Sequence, residues 1–334
     1  LFRSLPRAPI AGRPLLLLAG HIDTVPRDGA PEPAWDGGCI VGRGACDMKA
    51  GVAVLLALAE GLRAEDGFAR RAFVFYAGEE GPAVANGLGA ALEAVPELRG
   101  ASLGLLLEPT SGDLELGCNG SLHVTVTFRG RACHSARPWQ GRHPLRAALD
   151  WLERTLDRPV REVEIAGARF RELISLTRLR AGEVRNVIPG ELELNLNLRF
   201  APDRDRHQAE RLAIDALPAG AALRGFASAP DAADAAWETA DVAAGLVDFS
   251  PAGAIDLEAP LYRFVLESTG LPRRGKQGWT DVARLTSCGI PALNWGPGDP
   301  DLAHTKEERL DVAEAETCLA RLRALLAGPG PGAA

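Results

Sequence analysis

Two histidines and a set of carboxylates in this chain stand where apolar runs stop. His21 and Asp23 follow LLLLAG, Asp47 lies in GRGACDMKAG, and Glu79 and Glu80 end FVFYAGEEG. Glu108 ends LGLLLEPT, and His304 closes WGPGDPDLAH. Taken singly, each acid reads as a helix cap or a solvated loop residue, and a lone histidine as a structural one. Together they form a mixed nitrogen and oxygen donor set, which suits Zn²⁺, Mn²⁺ or Co²⁺ better than Mg²⁺ or Ca²⁺. Two histidines and three carboxylates hold two ions if one carboxylate bridges, and a further acid is then left to act as general base on water. Adjacent acids on a strand point to opposite sides, so of Glu79 and Glu80 one is expected to bind metal and the other to work as the base.

The elements that must carry these residues alternate. LLLLAGHIDTV, RRAFVFYAGEEG and ASLGLLLEPT read as strands, and MKAGVAVLLALAEGLRA and VANGLGAALEAV as helices between them. A βαβα order predicts an α/β fold, a mostly parallel sheet with helices on both faces. In such sheets ligands bind at the carboxyl ends of the strands, where the donors stand. From about residue 113 the pattern changes. SLHVTVTFRG alternates, HPLRAALDWLERTL is an amphipathic helix, and ISLTRLRAGEV and GELELNLNLRF read as antiparallel strands before the helix DRHQAERLAIDAL. We therefore expect a catalytic domain in two parts, residues 1–112 and 251–334, with an α+β domain, residues 113–250, inserted between them. The Ala- and Asp-rich segment DAADAAWETADVAAG reads as a loose connection or a poor helix, without an evident role.

Composition narrows the function classes. With 334 residues, 46% hydrophobic and 24% charged, the chain is that of a soluble globular protein. A net charge of -7 without a basic run argues against a nucleic-acid partner. No apolar stretch approaches the length of a membrane span and no signal peptide opens the chain, so a cytoplasmic protein is expected. The six cysteines, Cys39, Cys46, Cys118, Cys133, Cys288 and Cys318, form no CxxC pair and read as free thiols. The chain starts at Leu1, and its first core strand arrives some fifteen residues later; an upstream segment is expected to be missing.

Read in order, GHIDTVP, GRGACDMKAG, GEEG, EPT, ACHSARP, NVIPGELELNLNLRF, GWTDVAR and GPGDPDLAH resemble the M20 metallopeptidase group of dinuclear zinc amidohydrolases over nearly the whole chain. This group includes desuccinylases, deacetylases and carboxypeptidases. The resemblance implies a zinc-peptidase-like fold with an inserted lid and dimerisation domain, and two Zn²⁺ for which Co²⁺ or Mn²⁺ can substitute. It implies that His21 and Glu108 hold one ion, Glu80 and His304 the other, and Asp47 both. Glu79 is then the general base, Asp23 orients the His21 ring through its other nitrogen, and the Asp47–Met48 peptide is cis. His134 of the lid is implied to stabilise the oxyanion in the partner's site of a homodimer. Cys133 and His134, as strand neighbours facing opposite ways, are not expected to form a thiol dyad.

For the substrate, Arg199 and Asn186 match lid positions that contact the substrate carboxylate, a task suited to a guanidinium. Gly278 and Thr280 offer backbone or hydroxyl contacts, or form a plain turn. GCNGSL, ANGLG, HSARPW and KQGWTDVAR resemble the desuccinylase branch. The expected reaction is hydrolysis of N-succinyl-L,L-diaminopimelate to succinate and L,L-diaminopimelate, with N-acetylornithine or N-acetyllysine deacetylation and carboxypeptidase action as alternatives. A catalytically inactive, metal-binding dimer is the non-enzyme alternative. A nucleotide-binding enzyme is disfavoured, because GRGACD lacks the third glycine of GxGxxG and no GxSxG is present.

Overall fold

A computed structural model describes residues 2–4, 12–81 and 85–331. The chain divides into two compact units, Leu1–Cys118 with Glu164–Arg169 and Gly253–Ala334, and Asn119–Val163 with Phe170–Ala252.

The first unit begins with β1 (Phe2–Ser4), β2 (Leu15–His21), a hairpin of β3 (Ala34–Asp36) and β4 (Cys39–Val41), β5 (Arg70–Tyr76), β6 (Leu103–Pro109) and β7 (Leu114–Leu116). β2 is buried along its whole length, as a strand covered on both faces must be. It pairs in parallel with β5 on one side and β6 on the other. Between them run α1 (Ala50–Gly61) and α2 (Gly87–Ala94). Alternation along β2 assigns the helices to opposite faces: Leu15, Leu17 and Ala19 pack with Leu88, Ala91 and Leu92 of α2, whereas Gly20 faces Leu55 of α1. The helix comes very close to the sheet, because a Cβ on Gly51 would lie 2.1 Å from the Leu107 carbonyl oxygen. Only glycine permits that approach.

The second unit, to which all of the following elements except the Glu164–Arg169 turn belong, continues as β8 (Gly120–Arg129), β9 (Cys133–His134), α3 (Leu145–Leu156), β10 (Arg161–Ile165), β11 (Ala168–Arg180), β12 (Val187–Ile188), β13 (Glu191–Phe200), α4 (Arg206–Asp215), β14 (Ala222–Arg224), α5 (Asp234–Thr239) and β15 (Val242–Ser250). Six strands form one sheet in the order β10-β11-β13-β8-β15-β14, and β9 pairs separately with β12. One sheet face is apolar: Leu122, Val124, Val126 and Phe128 of β8 and Leu192 to Leu198 on alternate positions of β13 pack with Ala148 and Trp151 of α3 and Ala209 and Ala213 of α4. The other face carries Ser121, His123, Asn195, Asn197 and Arg199.

The chain then completes the first unit with α6 (Pro260–Thr269), β16 (Arg273–Gly275), α7 (Val282–Ser287), β17 (Ala292–Gly296), β18 (Arg309–Asp311) and α8 (Val312–Ala327). The resulting sheet, β1-β5-β2-β6-β17-β7-β16, is mixed and mostly parallel, and β18-β4-β3 form a small separate sheet. Among the described residues, no helix is long and apolar enough to cross a membrane.

Two expectations need correction. The segment expected to be a loose connection or poor helix contains only the short α5, and its end opens β15, which pairs antiparallel with β8 over most of its length. Alanine, glycine and aspartate give it no strand signature; pairing with β8 supplies what propensity lacks. The unit boundary also falls at Cys118 rather than near 112, since β7 joins the first sheet through β17 and β16.

Candidate metal centre

Three parallel strands end side by side and deliver the donors. His21 is the last residue of β2, Glu108 the penultimate residue of β6, and the chain beyond β5 turns into the bends that carry Glu79 and Glu80. β5 stops at Tyr76, so the strand argument for opposite directions does not reach the two acids. Their contacts separate them instead. Glu80 Oε1 lies 2.9 Å from His304 Nε2, whereas among the described residues no side chain hydrogen-bonds the Glu79 carboxylate.

Asp47 lies between both histidines. Its Oδ1 is 3.3 Å from His21 Nε2 and its Oδ2 3.3 Å from His304 Nε2. Glu108 Oε1 is 3.9 Å from His21 Nε2. Asp47 and Met48 depart from helical dihedrals within the wide turn Ala45–Lys49 ahead of α1, and their peptide is cis. Ligand atoms of His21, Asp47 and Glu80 all lie within 4.8 Å of one another.

The chemistry of this set fits divalent metal. His21 Nδ1 lies 3.1 Å from the Asp23 carbonyl oxygen, so a neutral ring donates there and turns the Nε2 lone pair toward Asp47 and Glu108. Among the described residues Asp47 Oδ1 and Glu108 Oε1 are buried and find no hydrogen-bond donor. Buried acceptors facing one another in this way suit a bound cation. The titration behaviour has the same origin. Burial alone would lower the His21 pKa, but the Asp47 carboxylate 3.3 Å away and the charges of Glu108 and Glu79 outweigh it and raise it to about 10. Hydrogen bonds with Asp47 and Glu80 lift His304 to about 10 as well. Burial, with a contribution from Asp47, raises Glu108 to about 7, and burial together with the Glu108 charge holds Glu79 well above the usual carboxylate range. Asp47 runs the other way: burial would raise it, but both histidines hold it far below that range.

Asp23 has a larger part than its expected contact with the His21 ring. Its carboxylate is 3.5 Å from Nδ1, and it accepts the backbone amides of Glu79 at 3.5 Å and Glu80 at 3.2 Å. It thereby ties the bend after β5 to the end of β2.

Two buried ion pairs escaped the sequence reading. Arg43 pairs with Glu308 behind Asp47. Lys276 pairs with Glu115 at 2.8 Å and donates to the Pro109 carbonyl at 2.9 Å, pinning the chain next to Glu108. Neither has a local signature, because the partners are distant in sequence. Only the rarity of lysine, with Lys49, Lys276 and Lys306 the sole examples, marks Lys276 out.

The other expected site residues fall into two places. In the second unit β9 and β12 set His134 opposite Val187, and Ser135 N donates to the Asn186 carbonyl at 2.9 Å, so His134 and Asn186 are neighbours. His134 is exposed, and its Nδ1 accepts the Ala136 amide at 3.1 Å, which leaves the ring proton on Nε2 as a donor. Arg199 lies near the end of β13, with its Nε donating to Asn197 Oδ1 at 3.2 Å. In the first unit Thr280 is buried with a hydroxyl that has no partner among the described residues, and Gly278 is exposed with open space where a Cβ would stand.

The model of peptidase family M20/M25/M40 matches residues 17–328. A protein of Mycobacterium tuberculosis is 37% identical over 94% of this chain and 82% of its own length. The succinyl-diaminopimelate desuccinylase of Corynebacterium glutamicum is 35% identical over 93% of this chain and 80% of its own. Among solved structures, an M20 family metallo-carboxypeptidase from Sulfolobus solfataricus superposes with a TM-score of 0.66 at 14% identity, covering 97% of this chain and 86% of that one. With a family model spanning nearly all of its length and relatives this similar along their own, the chain belongs to the M20/M25/M40 peptidase family.

Proposed function

We propose that this chain hydrolyses N-succinyl-L,L-diaminopimelate to succinate and L,L-diaminopimelate, using two zinc ions. The observation that carries the chemistry is Asp47, a single carboxylate set between His21 and His304, each of which has a further acid within reach. His21 and Glu108 would hold one ion, His304 and Glu80 the other, and Asp47 both. When bound, such ions acidify water and polarise the amide carbonyl. The protein residues then divide the remaining work. Glu79, tied to no histidine, takes a proton from the attacking water and gives it to the departing nitrogen as the C–O bond forms and the C–N bond breaks. Asp23 holds the Glu79 and Glu80 amides and so fixes where both carboxylates start. His134, with Nε2–H as its donor, hydrogen-bonds the oxyanion. Arg199 and Asn186 receive the substrate carboxylate, and Gly278 and Thr280 line the same substrate. The six free cysteines accord with a cytoplasmic setting.

The desuccinylase among the curated relatives favours a succinylated substrate. Turnover of N-succinyl-L,L-diaminopimelate by metal-stripped, zinc-refilled protein tests this, beside N-acetylornithine, N-acetyllysine and dipeptides. We expect the succinylated substrate to be strongly preferred. Preference for another amide would overturn the substrate while keeping the chemistry, and zinc uptake without turnover of any would leave the inactive metal-binding protein.

The reading includes a homodimer through the second unit. On α3, Ala148, Trp151 and Thr155 turn inward, while Leu145, Leu149 and Leu156 are exposed on the outer side with half-buried Leu152 between them. The spacing of four, three and four residues is one stripe of a helix. Such a stripe fits a second copy of itself better than water. Leu149→Glu is expected to convert the dimer to monomer in sedimentation at micromolar concentration. A variant that sediments like wild type, or a monomeric wild type, would remove α3 from the interface.

A further inference from the structure

Arg43 and Glu308 form an ion pair between stretches 265 residues apart, with Glu308 fully buried and the Arg43 side chain nearly so. Buried ion pairs seldom justify themselves by stability, since well-packed apolar groups in their place are often as good or better. The contacts of this pair suggest a different purpose. Arg43 Nη1 meets Glu308 Oε2 at 2.5 Å, leaving Oε1 to accept the Asp47 backbone amide at 3.3 Å and the Cys46 thiol at 3.7 Å. Arg43 Nη2 reaches the other way and donates to the His304 carbonyl at 3.2 Å. The backbone reinforces the link: Gly42 N donates to the Glu308 carbonyl at 2.9 Å, and β18, directly after Glu308, pairs with β4, directly before Gly42. One ion pair thus grips the main chain of the residue between the two histidines and the main chain of the second histidine.

We propose that Arg43 and Glu308 are positioning residues that hold Asp47 and His304 in a common frame, so that the ion bound by His304 and Glu80 meets ligands already in place. The inference rests on the two-ion reading of the centre. It makes arginine at 43 a requirement of geometry as well as of charge. A guanidinium serves Glu308 with one nitrogen and His304 with another, whereas a lysine ammonium can satisfy the buried carboxylate but has no second nitrogen to hold the loop.

Arg43→Lys separates these roles. Zinc affinities of the full chain, measured against a chromophoric chelator, would be paired with visible spectra of the cobalt-loaded protein and melting of the metal-free protein. Wild type is expected to take two ions. The variant is expected to keep one at wild-type affinity and bind the other about 10- to 100-fold more weakly, with one cobalt environment altered and the metal-free melting temperature unchanged. Two unaltered affinities would overturn the proposal. So would two affinities that fall together with the melting temperature, which would make the pair a fold stabiliser only. A wild type that binds fewer than two ions would instead overturn the reading of the centre, and the clamp would lose its purpose with it.

Discussion

Glu79→Gln is expected to lower kcat about 10²- to 10⁴-fold, the usual contribution of a general acid-base group, while zinc stoichiometry stays at two. The two halves of this expectation come from different observations. Metal uptake should survive because the Glu79 side chain is not among the groups that contact the histidines; Glu80, Asp47 and Glu108 are. Turnover should fall because the amide cannot carry a proton from water to nitrogen. Glutamine keeps the size and the backbone amide that Asp23 accepts, so the bend after β5 is preserved. Burial and the nearby Glu108 charge hold Glu79 above the usual carboxylate range, which strengthens the carboxylate as a base toward water. The decisive comparison is single-turnover rate beside metal content. A near-normal rate would take the base role from Glu79, and a loss of metal in proportion to the loss of rate would make it a ligand.

What the sequence revealed of this site follows a physical rule. His21, Glu108 and the Glu79–Glu80 bend were legible because each ends an apolar run, and a parallel sheet collects its strand ends on one edge. Asp47 and His304 end no strand; a glycine-rich turn opening a helix and a loop following a strand marked them instead. Arg43 and Glu308 were not legible at all. An arginine in a glycine-rich turn and a glutamate in TKEERL look like solvated charges, and only folding shows that Glu308 is buried and paired. The same holds for Lys276 with Glu115. β15 was missed for the opposite reason, because its first half, VAAG, is alanine- and glycine-rich and reads with the loose segment before it, while pairing with β8 supplies its structure. Local pattern therefore picked out the side chains that cluster at the strand ends, while the groups that hold them were set by contacts between distant segments.

Asp47→Ala should have the broadest consequence, because one carboxylate serves two histidines. Removal of a residue that bound a single ion would weaken one site and spare the other. Asp47 Oδ1 and Oδ2 instead face His21 and His304 separately, at the same 3.3 Å, so its loss should weaken both zinc sites together. Turnover should then fall by more than about 10⁴-fold, since activation of water and stabilisation of the oxyanion fail at once and each alone is worth about 10² or more. The fold should largely persist, because the Asp47 main chain stays anchored by its amide to Glu308, a contact that alanine retains. Zinc titration by calorimetry, with circular dichroism as the control, distinguishes the possibilities. Parallel loss of both sites is the expected result. Retention of one site at wild-type affinity would mean that Asp47 belongs to a single ion, and the bridging role would have to pass to another carboxylate of the cluster, with Glu108 and Glu80 the residues to replace next.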